Sequence, residues 1–118
     1  MNALFLEYPK CSTCKKAKNF LTDNKIEFTQ RHIVENNPTA VELKVWIEKS
    51  GLPVKKFFNT SGNMYKELKL KEKLPEMTAD EQIALLSQNG MLVKRPLVIA
   101  DSFVLIGFKE EEWRSKLL

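Results

Sequence analysis

The sequence predicts an α/β fold with a small mixed sheet, built as β-α-β at the start of the chain and β-β-α at its end. Three observations predict it: short apolar runs near both ends, helical apolar spacing between them, and turn residues where the patterns change. A helical insertion is expected at about residues 36–90. With 118 residues and 43% hydrophobic content, residues 1–118 are expected to form a single domain.

The first third of the chain predicts a strand, a helix and a second strand. Residues 4–6 form a short apolar run that is typical of a buried strand. Apolar residues at helical spacing between positions 17 and 21 predict a helix that ends around residues 23–25. Residues 26–33 alternate apolar and polar side chains in their first part, as a half-buried strand does. The chain therefore opens as β-α-β.

The middle of the chain predicts helices. Thr39 is placed to cap a helix that stops at residues 50–51, where Ser-Gly occurs. Residues 64–70 predict a short helical stretch after a polar loop. Residues 78–81 read Thr-Ala-Asp-Glu, which has capping-box spacing, and they start a helix that ends at residues 88–90.

The end of the chain predicts a hairpin and a last helix. Residues 97–100 and 103–106 are continuous apolar runs separated by Asp101 and Ser102, which indicates two antiparallel strands with a tight turn. Trp113 then belongs to a C-terminal helix. This order completes the β-β-α half of the sheet.

Composition favours a soluble, cytoplasmic protein. The first residues lack a basic region typical of a secretion signal, and no apolar run approaches the roughly 18 residues of a membrane span. The net charge of +4 is the balance of nineteen scattered basic residues against fifteen acidic ones, so neither direct nucleic-acid binding nor membrane binding is expected. Two cysteines and one histidine, His32, are too few for a structural zinc site; we expect no metal and no bound cofactor, and assign His32 no role.

The two cysteines of the chain, Cys11 and Cys14, are the strongest chemical signal. They stand two residues apart at the start of the first predicted helix, where exposed N–H groups and the helix dipole stabilise a thiolate. Lys10, Lys15 and Lys16 add positive charge at the same point. We therefore expect Cys11 to be a nucleophile and Cys14 its resolving partner; the alternative is two unreactive thiols in a helix cap.

Two polar segments have an open interpretation. Ser12 and Thr13 either cap the first helix or surround the substrate atom that would meet Cys11. Residues 59–63, Asn-Thr-Ser-Gly-Asn, are either a plain turn or a loop that lines the site.

Four motifs carry a resemblance to a known family. Residues 8–17, 58–65, 92–96 and 106–108 together resemble the arsenate-reductase-like (ArsC/Spx) family over essentially the whole chain. The resemblance implies a thioredoxin-like fold, a nucleophilic role for Cys11, and a cis peptide bond before Pro96 that faces the cysteine loop.

The match to arsenate-reducing members is incomplete. Those members bind the oxyanion with three arginines, and only Arg95 has a counterpart here. Asn59 and Gly107 occupy the other two positions, although Lys109 is near in sequence. Because lysine lacks the bidentate fork of arginine, we expect arsenate to be bound weakly.

These inferences give one expected site and three hypotheses about function. The expected catalytic residues are Cys11, Cys14 and Arg95, and the expected substrate-binding residues are Ser12, Thr13, Lys15, Asn59, Pro96 and Lys109.

The leading reading is a thiol-disulfide oxidoreductase that uses a thiol reductant such as glutathione and acts on a small anionic or thiol substrate. The narrower reading is an arsenate reductase. The alternative is a redox-sensing regulator that resembles Spx and binds the RNA polymerase α subunit, although Spx-like regulators typically carry charged residues where residues 59–63 are neutral.

Overall fold

Four strands form one mixed sheet in the computed structural model, which describes residues 3–118. The strands are β1 (Ala3–Glu7), β2 (Phe28–His32), β3 (Leu97–Ile99) and β4 (Val104–Ile106). Their order across the sheet is β2-β1-β3-β4. Strand β1 is parallel to β2 and antiparallel to β3, which is antiparallel to β4. The predicted mixed α/β sheet is confirmed.

Helices connect and cover these strands. Within residues 3–118 the α-helices are α1 (Ser12–Asp23), α2 (Ala40–Ser50), α3 (Asn63–Glu67), α4 (Leu70–Lys73), α5 (Ala79–Gln88) and α6 (Glu110–Leu117). Three 3-10 turns, at Val54–Phe57, Leu74–Glu76 and Gly90–Leu92, complete the segment between β2 and β3. In this described part of the chain, no helix has the length and apolar content needed to cross a membrane.

Side-chain caps fix where two of the helices begin. The Thr39 hydroxyl accepts a hydrogen bond from the Glu42 N–H at 3.1 Å, and the Glu42 carboxylate accepts one from the Thr39 N–H at 3.0 Å. Thr78 and Glu81 form the same reciprocal pair at the start of α5. The predicted cap at Thr39 and the predicted capping box at Thr78 are both confirmed.

The stretch expected to be one short helix is two. Lys69 adopts a left-handed conformation with φ of 53°, which separates α3 from α4. Tyr65 and Leu70 are both buried, yet five residues on one helix would place them about 140° apart. The break at Lys69 lets both side chains reach the core. Helix propensity alone does not predict this break at Lys69.

The sheet has an apolar layer on each face. Phe5 packs with Phe20 of α1 and Trp113 of α6 on one face. Its neighbour Leu6 belongs to the core on the other face, which includes Trp46 of α2. This division follows from the alternation of side chains along a strand. Strand β1 is therefore buried on both sides.

The hairpin between β3 and β4 turns at Asp101 and Ser102 as the sequence predicts. The Ala100 N–H donates to the Phe103 carbonyl at 3.0 Å and closes the turn. The regular strands stop one residue short of the predicted ends on each side of it. The short turn keeps β4 directly beside β3.

An ion pair joins β2 to α2. Arg31 donates two hydrogen bonds, of 2.7 and 2.9 Å, to the Glu42 carboxylate. These bonds, together with the backbone bond from Thr39, outweigh partial burial and lower the pKa of Glu42 from 4.5 to about 2. The carboxylate side chain remains 35% exposed, so solvent screens the pair.

We predict that this pair stabilises the fold above pH 4.5 and that its contribution disappears as the pH falls towards 2. The sign follows because the folded protein holds the ionised carboxylate more tightly than the unfolded chain does. Glu42→Gln should lower the free energy of unfolding by about 1 kcal/mol at pH 7 and by much less at pH 2. Urea unfolding at several pH values measures this difference; a pH-independent difference would contradict it.

Candidate active site

The strand register brings three separate segments of the chain to one end of the sheet. Leu6 pairs with Leu97, and Leu97 pairs with Ile106. The chain leaves β1 just after Leu6, enters β3 just before Leu97 and leaves β4 just after Ile106. The loop that leads to Cys11 therefore meets Arg95 and the segment that follows Ile106.

Cys11 is the N-cap residue of α1. Its N–H donates to the Tyr8 carbonyl at 2.9 Å, and its carbonyl accepts from the Lys15 N–H at 3.2 Å. Its thiol is partly exposed. Among the described residues no side chain caps the N-terminus of α1, so the capping interpretation of Ser12 and Thr13 is not what this structure contains.

The surroundings of Cys11 favour the thiolate form of its side chain. Partial burial raises its pKa, but the backbone N–H and thiol of Cys14 and the guanidinium of Arg95 outweigh burial. The net result is a pKa below the ordinary value for cysteine. The position at the start of a twelve-residue helix acts in the same direction.

Cys14 has the opposite environment. Its side chain is fully buried on the inner face of α1, and both thiols are free. Burial raises the pKa of Cys14 to about 12, and the neighbouring Cys11 adds to the rise. One thiol is therefore open to solvent and acidified, while the second lies behind it and stays protonated.

Arg95 packs on Tyr8 beside the cysteines. Its guanidinium carbon lies 4.9 Å from the centre of the Tyr8 ring, which is a cation-π distance. Its Nη1 is buried and has no hydrogen-bond partner among residues 3–118. The Arg95–Pro96 peptide bond is cis, so the conformation that the family resemblance implies is confirmed.

A cleft of about 430 Å³ opens over the Cys11 thiol. Five of the expected site residues line this cleft: Cys11, Thr13, Asn59, Arg95 and Lys109. Cys14 and Pro96 are buried rather than lining this cleft. Ser12 and Lys15 are exposed and lie outside its lining, so their contact with a substrate stays a prediction.

Backbone hydrogen bonds hold the polar loop and the last strand against the cleft. The Asn59 N–H donates to the Leu92 carbonyl at 2.8 Å, which places Asn59 beside the segment that carries Arg95. On the other side, the Gly107 N–H donates to the Pro96 carbonyl at 2.8 Å. The Trp113 indole N–H donates to the Gly107 carbonyl at 3.0 Å, so α6 supports this wall.

The comparisons with known proteins agree with this geometry. The sequence profile of the ArsC family matches residues 6–116. The chain belongs to the ArsC family. Its thioredoxin-like fold is confirmed by an ArsC family related protein from Bacteroides fragilis, which superposes with a TM-score of 0.94 at 67% identity and covers 98% of this chain and 97% of its own.

Two curated relatives of this ArsC-family protein come from Bacillus subtilis (strain 168). The uncharacterized protein YusI is 52% identical over 113 residues, 96% of each chain. The regulatory protein MgsR is 32% identical over 108 residues, 92% of this chain and 84% of its own. The chain is thus similar both to a protein of uncharacterized role and to a regulator.

The structure adds a cation that sequence reasoning did not assign to the site of this ArsC-family protein. Lys94 lines the cleft together with Arg95 and Lys109, and none of the described residues that line it is acidic. Its place before Arg95 in the chain was the available signal. The cleft is therefore strongly positive.

His32 takes no part in the cleft of this ArsC-family protein. Its Nδ1 accepts from the N–H groups of Val34 and Glu35, and its ring packs edge-on against Tyr8. The hydrogen bonds of His32 are therefore local to the turn that follows β2. Within residues 3–118, no group of three or more His, Cys, Asp and Glu side chains is arranged to hold a metal ion.

We predict that Arg95→Gln raises the pKa of Cys11, because it removes a positive charge and a donor that favour the thiolate. The pH dependence of Cys11 alkylation by iodoacetamide measures this pKa. Arg95→Lys is the matched control, since it keeps the positive charge without the guanidinium fork. The pKa of Cys11 in Arg95→Lys should fall between its values in the wild-type protein and in Arg95→Gln. An unchanged profile in Arg95→Gln would show that Arg95 does not act on the thiol.

Proposed function

We propose that this protein is a cytoplasmic thiol-disulfide oxidoreductase in which Cys11 is the nucleophile and Cys14 the resolving cysteine. The observation that carries the proposal is the contrast between the two thiols. Cys11 is partly exposed in a positive cleft with a lowered pKa, and Cys14 lies buried behind it with a raised one. This division of roles suits a cysteine pair that reacts in sequence.

In the first step, the Cys11 thiolate attacks one sulfur of a substrate disulfide. A new S–S bond forms between Cys11 and that sulfur, and the other half of the substrate leaves as a thiolate. Arg95 and the start of α1 hold Cys11 ionised before the attack. The positive lining of the cleft attracts an anionic substrate.

In the second step, Cys14 attacks the Cys11 sulfur. Burial and the Cys11 charge are both causes of the raised pKa of Cys14. Once Cys11 is part of a mixed disulfide, its charge is gone and Cys14 loses its proton more easily. The Cys11–Cys14 disulfide forms and the second substrate thiolate leaves. Two equivalents of a thiol such as glutathione then return both cysteines to the reduced form and are themselves oxidised to a disulfide.

We predict that Cys11→Ser abolishes disulfide reduction, leaving the rate seen without protein, because it removes the attacking sulfur. Without added thiol, Cys14→Ser should instead release a single equivalent of substrate thiol and stop at a mixed disulfide on Cys11. Coupled reductase assays and intact-protein mass spectrometry measure these outcomes. Full activity of Cys11→Ser would overturn the proposal.

Arsenate is a narrower candidate substrate that the cleft suits less well. Arg95 is the single arginine among the described residues that line it, and its other cations are Lys94 and Lys109. A tetrahedral oxyanion gains several kcal/mol from bidentate arginine contacts that lysines do not provide. Arsenate turnover should therefore be far slower than disulfide turnover under the same thiol supply, and comparable rates would favour the narrower function.

A second candidate function is a redox-sensing regulator, which the identity to MgsR favours. By resemblance to Spx, its partner would be the RNA polymerase α subunit. The neutral residues 59–63 argue against this function, because Spx-like regulators typically carry charges there. Titration of the reduced and oxidised protein against the α subunit's C-terminal domain separates the two. Saturable binding would favour the regulator over the enzyme.

A further inference from the structure

A second cleft adjoins the one over Cys11. It has a volume of about 520 Å³, and it shares Lys94, Ile106 and Lys109 with the first cleft. Apolar side chains, including Phe58 and Val104, line part of it. Because three side chains line both clefts, the clefts lie next to each other, and the second is within reach of a molecule that reacts at Cys11 and extends past Lys94.

Four lysines line this second cleft. Lys55 and Lys56 come from the 3-10 turn before Phe58, and they face a cleft that Lys94 and Lys109 also line. Glu112 is the one acidic residue of the described lining. Among residues 3–118, none of the four lysines forms an ion pair with a carboxylate. With four lysines and one carboxylate in its lining, the cleft has a net positive charge.

Gly107 makes room for the lysine at the junction of the two clefts. A Cβ atom at position 107 would lie 3.2 Å from Cε of Lys94, closer than a side chain comfortably approaches. The Lys94 side chain passes close to Gly107 and lines both clefts. A larger residue at position 107 would require the end of the Lys94 side chain to shift slightly.

We propose that the lysine-lined cleft binds the carboxylate-bearing tail of a low-molecular-weight disulfide whose sulfur reacts at Cys11. The proposal rests on the proposed function for the reaction at Cys11 and adds the class of substrate. The apolar wall of the cleft suits the carbon chain of such a tail. The four lysines of the cleft suit the carboxylates at the end of the tail. Lys94 would contact the substrate where it passes from one cleft to the other.

The test compares two disulfides of the same length and different charge. Glutathione disulfide has free carboxylates, and its tetraethyl ester has none. Cys14→Ser protein is used throughout, so that each reaction stops at a mixed disulfide on Cys11 and is followed by mass spectrometry. Adding Lys55→Glu/Lys56→Glu should lower the rate constant for glutathione disulfide roughly tenfold, through lost attraction and new repulsion. The rate constant for the tetraethyl ester should change by less than about twofold in the same variant.

Lys71→Glu/Lys73→Glu is the matched control. It makes the same change in net charge on helix α4, at two lysines that line neither cleft. Both disulfides should react with this variant at close to the parent rate. Equal slowing of both disulfides by Lys55→Glu/Lys56→Glu, or equal slowing of glutathione disulfide by the two double variants, would overturn the proposal.

A binding measurement separates this proposal from the reaction at Cys11. S-methylglutathione carries the same carboxylates but forms no disulfide, so calorimetry with the reduced wild-type protein tests the cleft alone. Saturable binding that Lys55→Glu/Lys56→Glu weakens and Lys71→Glu/Lys73→Glu preserves supports the cleft, even if disulfide turnover fails and the proposed function falls. Absence of saturable binding overturns the cleft proposal and leaves the chemistry of Cys11 standing.

Discussion

The side-by-side alignment of Leu6, Leu97 and Ile106 across three strands is the constraint on which the candidate site depends. Strand β3 is antiparallel to both of its neighbours, so its beginning lies beside the ends of β1 and β4. A slip of one residue in β3 would turn its side chains to the opposite faces and move Arg95 away from Cys11. Burial of β3 on both faces makes that slip costly, even though the strand has only three residues.

The two thiols differ because one helix start provides two environments. Cys11 precedes the first turn of α1, where the Cys14 N–H and the helix dipole favour the thiolate, whereas Cys14 follows on the buried face of the helix. Side chains three positions apart on a helix are neighbours, so each thiol also changes the other. The reactivity of the pair is therefore a property of where α1 begins, and the spacing of the cysteines matters as much as their identity.

Local signals in the sequence predict local structure. The features that the sequence does not predict depend on contacts between residues far apart in the chain. Thr39 and Thr78 begin their helices with hydrogen bonds to residues three positions on, so both starts could be predicted. The break at Lys69 depends on a core built from many elements, and nothing near it in the chain announces it. Lys94 lines the cleft beside Gly107, which directly follows β4, and a Cβ at position 107 would crowd the end of the lysine side chain. Such a contact becomes visible only when the strands are paired.

The indole of Trp113 holds Gly107, and through it the far wall of the cleft, in place. The nucleophile lies near one end of the chain and this wall near the other, with the helical segment between them. During synthesis, Cys11 and Cys14 leave the ribosome long before Arg95 and the wall that Trp113 supports. A nascent chain thus carries two thiols without the guanidinium that acidifies one of them, and full reactivity arises only when the sheet closes.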